Sequence, residues 1–345
     1  MKKNHLIEFW RFVASLIIAG FHGAVIFRTG WIFVEFFFML TGYFAFKHLM
    51  EKPDSIKEPE HFPIKYTLKK MVRILPYSTI AILIIYIRQV TAYKLSFSDS
   101  IKYALYILES LLLVNGTGTI PRVFGLREDI AINYMPLPSL WYLTVIIVAL
   151  PVMMYLVYYL YKKLGLGLVG LFPILIYGYL IMKDGSINGW HEDLGFYFSL
   201  CNRGLAGMLL GGLIYYIADL LKNAKLTSLK KSMLLIVEIC FMLGVIGIAT
   251  LKFPLYELLS VILLIGSLSI TLSGVTATSK VHFTPIEYLG KLSLPIYCMH
   301  PVIQYIFGTD NVLKYYGLTI LSSIIVLVVV EGIGKIGKSN EKRNQ

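Results

Sequence analysis

The segment SLWYLTVIIVALPVMMYLVYYLYKK, residues 139–163, runs from Ser139 to Tyr161 without a charged side chain and then meets Lys162 and Lys163. A hydrocarbon core of about 30 Å takes roughly 20 apolar residues in helical form, so this stretch is long enough to cross a bilayer, and the lysine pair marks where it emerges. Nine further apolar segments accompany it, at residues 7–26, 31–46, 74–90, 166–182, 195–221, 232–251, 255–273, 292–307 and 318–336. The composition agrees: of 345 residues, 57% are hydrophobic and 15% charged, with a mean hydropathy of +0.71, more apolar surface than a water-soluble core of this length absorbs. The sequence therefore predicts an all-α polytopic membrane protein of about ten transmembrane helices, one transmembrane domain over residues 1–345 with a short basic cytoplasmic tail at 337–345. A large separate soluble domain is excluded.

Charge sets the expected orientation. The 32 Lys and Arg against 20 Asp and Glu give +12, which in a soluble chain would prompt a search for a nucleic-acid surface; in a membrane chain it reflects cytoplasmic loops, and no nucleic-acid partner is expected. An eleventh stretch, 101–114, reaches only about 21 Å at 1.5 Å per residue. If it does not cross, and the N-terminus is inside, 21 of the 32 basic residues share the inner side, as the positive-inside rule requires. If it does cross, Lys162–Lys163 and Lys230–Lys231 face outward. Both termini are therefore expected in the cytoplasm, with 101–114 re-entrant or interfacial and the Gly- and Pro-rich 115–138 loop outside. The basic start Met-Lys-Lys leads into a first helix that carries Glu8, Arg11 and His22 and lacks a clean cleavage site, so it is expected to be retained. Cys201, Cys240 and Cys298 are widely separated and show neither disulfide nor metal-ligand spacing, so no metal site is expected.

Ionisable groups at membrane depth cost about 2.5 to 3.5 kcal/mol each on insertion scales and need an escape route or a use. Arg11 either pairs with Glu8 at i, i+3 and snorkels to the interface, or serves a site. His22 lies eleven residues on, about 16 Å along the axis and three turns away, so the two face nearly the same way. Glu35 interrupts FVEFFFML, with Arg11 or Arg28 as possible partners. His300 precedes Pro301, which frees a backbone carbonyl, so a hydrogen bond to a neighbouring helix is its simplest structural role. Arg203 precedes Gly204, Gly207, Gly211 and Gly212, a small-residue run suited to close helix packing. Two histidines, one glutamate and two arginines in four spans together suggest a polar cavity through the bilayer, serving transport or chemistry.

The order of these residues resembles the acyltransferase-3 family of bacterial integral-membrane acyltransferases. RFVASLIIAGFH resembles its opening Arg, ten residues, His signature; FVEFFFMLTGYF its acidic, double-Phe second helix; and KKMVRILPY its basic segment before the third helix. LWYLTVIIVALP, RGLAGMLLGG and YLGKLSLPIYCMHPV resemble the later motifs, in family order, over Leu6 to about Val330. Two departures stand out: the family's frequent Glu after the Trp falls near Ile146, and Gly207 replaces the usual Phe.

The resemblance implies transfer of an acyl group, usually acetyl from cytosolic acetyl-CoA, to a hydroxyl of a cell-envelope glycan or its lipid-linked precursor, in a multi-pass protein of the bacterial cytoplasmic membrane. No permanently bound cofactor is expected; acyl-CoA is the donor, and membrane lipids and polysaccharide-assembly proteins are expected partners. A near-neutral imidazole suits removal of a hydroxyl proton or carriage of the acyl group, so His22 is the first catalytic candidate, with Arg11, Glu35, His300 and Arg203 beside it. Lys65, Lys69, Lys70 and Arg73 lie in what the sequence presents as an inner loop, where the phosphates of CoA would arrive. A secondary transporter or flippase for an envelope sugar precursor or small anion is the alternative, although no inverted repeat supports it.

Overall fold

A computed structural model describes residues 4–23, 26–51, 59–113, 137–188, 200–251 and 255–343. Lys2, Lys3, Lys52, Lys57 and nearly all of the predicted 115–138 outer loop lie outside the described residues. Among the described residues there are eleven α-helices and no strand. They are α1 (His5–Gly23), α2 (Phe33–Glu51), α3 (Phe62–Ala92), α4 (Phe97–Leu111), α5 (Trp141–Leu164), α6 (Phe172–Asp184), α7 (Leu200–Asn223), α8 (Ser228–Ala249), α9 (Leu255–Ser273), α10 (Thr284–Phe307) and α11 (Val312–Arg343). Among the described residues nine helical segments are long and apolar enough to cross a membrane. The tenth predicted span is α10, 24 residues long but carrying Glu287, Lys291 and His300.

Why helices and no sheets follows from the solvent. In hydrocarbon every backbone N–H and C=O must be paired within the chain, and a helix does this locally. The outer helices turn apolar faces outward: Leu229, Met233, Ile236 and Leu243 of α8, and Leu313, Leu321, Val328 and Ile333 of α11, are all exposed. Lipid tails, not water, are the surroundings such faces suit. By contrast, Phe33, Phe36, Phe38, Met39, Ala45 and Phe46 of α2 are buried, which makes it the central element.

Residues 101–111 of the short stretch lie in α4, which is 15 residues or about 22 Å long. Ser96 caps its N-terminus by accepting from the Asp99 N–H at 3.1 Å. It folds back along the end of α3, where the Tyr86 hydroxyl donates to the Ser100 carbonyl at 2.9 Å and the Tyr86 and Tyr103 rings stack at 5.5 Å. Phe97, Ile101, Leu105, Leu108 and Leu112 are exposed along its other face. The helix is too short to span, as expected.

The basic residues before the third span do not lie in a loop. Lys65, Lys69, Lys70 and Arg73 belong to the first turns of α3, which at 31 residues is about 46 Å long and exceeds the hydrocarbon thickness. Pro63 in the first turn suits a helix start, and lysine and arginine are good helix formers, so the helix begins well before its apolar section.

Close packing brings α2 and α7 together, as the small-residue run implied. A Cβ on Gly42 would strike the Met208 backbone, and one on Gly211 would meet the backbone of Met39, Gly42 and Tyr43. Without side chains at these positions the two helix backbones touch, which holds Glu35 and Arg203 at fixed depth.

Candidate active site

α1 packs along α10, and this pairing juxtaposes two histidines that the sequence keeps 278 residues apart. The rings of His22 and His300 stack with centroids 5.3 Å apart and planes inclined by 28°. His300 Nδ1 lies 3.2 Å from the Ile296 carbonyl of its own helix, not on a neighbouring helix as the Pro301 argument anticipated. A carbonyl can only accept, so that bond puts the proton on Nδ1 and leaves the buried Nε2 as a lone pair with no partner among the described residues. His22 is held through its backbone: Gln304 Nε2 donates to the His22 carbonyl at 2.7 Å, satisfying one of the orphan carbonyls at the end of α1. Tyr315 caps the Ala19 carbonyl at 3.0 Å and Tyr316 that of Leu16 at 3.1 Å. The last turns of α1 are therefore fastened to α10 and α11.

Glu35 and Arg203 are both 0% exposed and pair with each other at 2.5 Å, so neither Arg11 nor Arg28 is the partner of Glu35. Tyr177 donates to the second Glu35 oxygen at 2.5 Å. Arg203 also donates to Asn188 Oδ1 at 2.6 Å and to the Trp31 carbonyl at 3.3 Å, and its guanidinium sits 4.7 Å from the Trp31 ring and 5.0 Å from that of Trp141. Every charge in this group is compensated, and its outer surface is a pair of indole rings. Gly207 explains the departure noted above: a Cβ there would come within 2.8 Å of Glu35 Oε2 and of Phe38 Cβ, so the missing side chain is what lets α7 bring Arg203 up to α2. Arg11, for its part, pairs with Glu8 at 2.9 Å.

Three cavities adjoin in sequence through the bundle. The first, about 460 Å³, is lined by Glu8, Arg11, Lys70 and Arg73 at its polar end and by Phe37, Leu40, Phe44, Leu143, Ile146 and Leu294 elsewhere. Tyr297 lines both this cavity and a second of about 250 Å³, which contains His22, Trp31, Ser139, Trp141 and Asn188. The Tyr297 hydroxyl donates to the Ser139 carbonyl, which pins this side chain where the two cavities meet. His22 and Ser139 in turn line a third, more open cavity of about 590 Å³ with Arg88, Tyr93, Gln304 and Tyr305. A cationic chamber and a histidine chamber thus meet at one tyrosine.

Of the sequence candidates, Arg11, Lys70 and Arg73 are brought to the first chamber and His22 to the second, with His300 stacked behind it. Lys65 and Lys69 are exposed on α3 and line none of these cavities. Glu35 and Arg203 form a buried group behind Trp31 and Trp141 and do not touch His22. Sequence reasoning missed Tyr297, Ser139, Asn188 and Gln304. Only Tyr297 carried a usable signal, since it lies one turn before His300, at i, i+3 on the same helix. Among the described residues no group of three or more His, Cys, Asp or Glu side chains is placed to hold a metal ion.

The sequence profile of the acyltransferase-3 family, described as an acyltransferase domain, matches residues 4–331. The chain belongs to that family. The protein is accordingly a multi-pass membrane acyltransferase, and the matched span includes every residue of the three cavities. Comparison with curated proteins and with solved structures returns no significant match for this acyltransferase.

Proposed function

We propose that this acyltransferase moves an acyl group, acetyl by preference, from cytosolic acyl-CoA to a hydroxyl of a cell-envelope polysaccharide or its lipid-linked precursor, in the bacterial cytoplasmic membrane with both termini inside. The observation that carries the proposal is the meeting of two unlike chambers at Tyr297, one ringed by Arg11, Lys70 and Arg73 and the other holding His22. A CoA thioester has a polyanionic head and a narrow, less polar arm ending at the reacting carbonyl. The first chamber offers cations at one end and an apolar wall leading to Tyr297, which suits that polarity.

In the proposed reaction the acceptor hydroxyl enters the His22 chamber, and the imidazole removes its proton as the oxygen attacks the thioester carbonyl. The tetrahedral intermediate collapses with cleavage of the C–S bond, and the imidazolium returns the proton to the departing thiolate. One ester and one free thiol result. His300, stacked on His22, holds the ring; Arg203 and Glu35 fix Trp31 and Trp141, which wall the acceptor chamber; Arg11, Lys70 and Arg73 take the donor's charge, with Lys65 and Lys69 contributing only a longer-range field. Purified protein mixed with acetyl-CoA and an envelope glycan extract is expected to release free thiol in step with glycan acetylation, and His22→Ala is expected to abolish both. Thiol release that is indifferent to the glycan, or a His22→Ala variant with parental rates, would refute the proposal.

A further inference from the structure

The third cavity contains a cation that neither the proposed chemistry nor the sequence motifs use. Arg88 lies on α3 eighteen residues after Lys70, which is five helical turns, so both point to one face about 27 Å apart. Lys70 lines the first chamber and Arg88 the last, so a single helix presents a positive charge at each end of the path. Arg88 is partly buried, and its guanidinium sits 4.8 Å over the Tyr305 ring of α10. Gln89 Nε2 donates to the Tyr305 hydroxyl at 3.4 Å, which steadies that ring. The arginine is therefore turned into the cavity that holds His22, and not out along the helix end toward lipid headgroups.

Among the described residues no Asp or Glu lines this cavity, and none of their carboxylates pairs with Arg88 within 4 Å. A guanidinium stacked on one face still has its edge donors free for an oxyanion, to which it can bond through two parallel N–H groups. Besides His22 and Pro301, the other described residues that line it are a serine, a glutamine and two tyrosines, whose polar groups suit the hydroxyls of a saccharide.

We infer that Arg88, in the cavity it shares with His22, Gln304 and Tyr305, is a binding site for an anionic saccharide acceptor, whose phosphate or carboxylate rests on Arg88 while a hydroxyl reaches His22. The inference rests on the acyl-transfer proposal for the choice of a saccharide, but the binding of an anion there does not depend on turnover. The positive charge at this end selects acceptors that carry an acidic group over neutral ones. It also sets the register of the acceptor, because the anion and the reacting hydroxyl are held by different helices.

The test is binding without donor, using full-length protein in maltoside micelles, glucose 1-phosphate as the anionic probe and glucose as its neutral match, followed by titration calorimetry. The parent is expected to bind glucose 1-phosphate more tightly than glucose. Arg88→Gln is expected to weaken the phosphate probe roughly 10- to 100-fold and leave glucose unchanged, in line with loss of one charge-assisted contact. Arg88→Lys keeps the charge without the fork and is expected to fall between, which also separates loss of charge from loss of fold. Lys70→Gln and Arg73→Gln keep Arg88, so the preference for glucose 1-phosphate over glucose is expected to persist in both.

Four outcomes would overturn the inference: no preference for the phosphate in the parent, an unchanged affinity in Arg88→Gln, loss of binding in the Lys70 and Arg73 variants instead, or a phosphate preference abolished by equimolar dioctanoyl phosphatidylglycerol. The last would make the cavity a seat for bulk lipid headgroups. If acyl transfer itself fails while Arg88-dependent binding persists, the anion site stands and the proposed reaction does not.

Discussion

Removing the carboxylate of Glu35 tests the energetics of the bundle most sharply. The pair it forms with Arg203 is 0% exposed on both sides, and the Arg203 guanidinium lies against two indole rings. In Glu35→Ala the guanidinium keeps its bonds to Asn188 and the Trp31 carbonyl but loses the carboxylate it pairs with, and the Tyr177 hydroxyl loses its acceptor. Breaking a buried pair from one side costs about 3 to 5 kcal/mol, and an orphaned hydroxyl adds about 1 to 3 kcal/mol. A penalty of about 4 to 8 kcal/mol is therefore expected, a large share of the stability of an ordinary domain.

The double variant Glu35→Ala/Arg203→Met removes both charges and should recover about 2 kcal/mol or more relative to the single variant, because matched apolar side chains no longer demand compensation. Thermal unfolding in micelles can be followed through the buried thiols of Cys201 and Cys298, with the exposed Cys240 replaced by serine, using a thiol-reactive dye. A loss below about 1 kcal/mol in Glu35→Ala, or a double variant no more stable than the single one, would refute the account of this pair as a mutually dependent buried unit.

Other outcomes follow from the same geometry. His22→Ala should lower the rate of acyl transfer by about 10²- to 10⁴-fold with an unchanged unfolding temperature and donor KM, as measured by single-turnover and steady-state kinetics. Arg73→Gln should raise the KM for acetyl-CoA with little change in kcat, a penalty of about 1 to 3 kcal/mol, and should flatten its dependence on salt. Gly42→Ala should destabilise the α2–α7 contact by about 1 to 3 kcal/mol because the added methyl meets the Met208 backbone, and thermal unfolding reads this directly. With native cysteines removed, Lys230→Cys and Asp310→Cys should react with an impermeant thiol reagent from opposite sides of the membrane; labelling from one side would mean an odd number of crossings is missing between them.

The polytopic all-helical class, nine of the expected spans and the short α4 were legible in the sequence because hydropathy over about 20 residues is a local property, and a bilayer imposes it on each helix separately. Arg11 and His22 could be placed on one face for the same reason, since three turns of a single helix relate them. Even the Arg11–Glu8 pair is a neighbour relation at i, i+3. The α3 extension was missed because a run of lysines lowers hydropathy without breaking a helix, so the sequence shows the end of the hydrocarbon but not the end of the element.

Tertiary structure alone decided which charges meet across helices. Glu35 finds Arg203 across 168 residues, and Gln304 finds the His22 carbonyl across 282, through packing of α2 on α7 and of α1 on α10. No local pattern separates that partner for Glu35 from Arg11 or Arg28, because the choice depends on backbones touching at Gly42 and Gly211. The same packing split the basic cluster, turning Lys70 and Arg73 into a cavity and leaving Lys65 and Lys69 outside, and it carried Arg88 to the chamber of His22. Which residue types must be buried is written along the chain; which of them share a cavity is set by how helices that are distant in sequence lie against one another, since only there do their side chains meet.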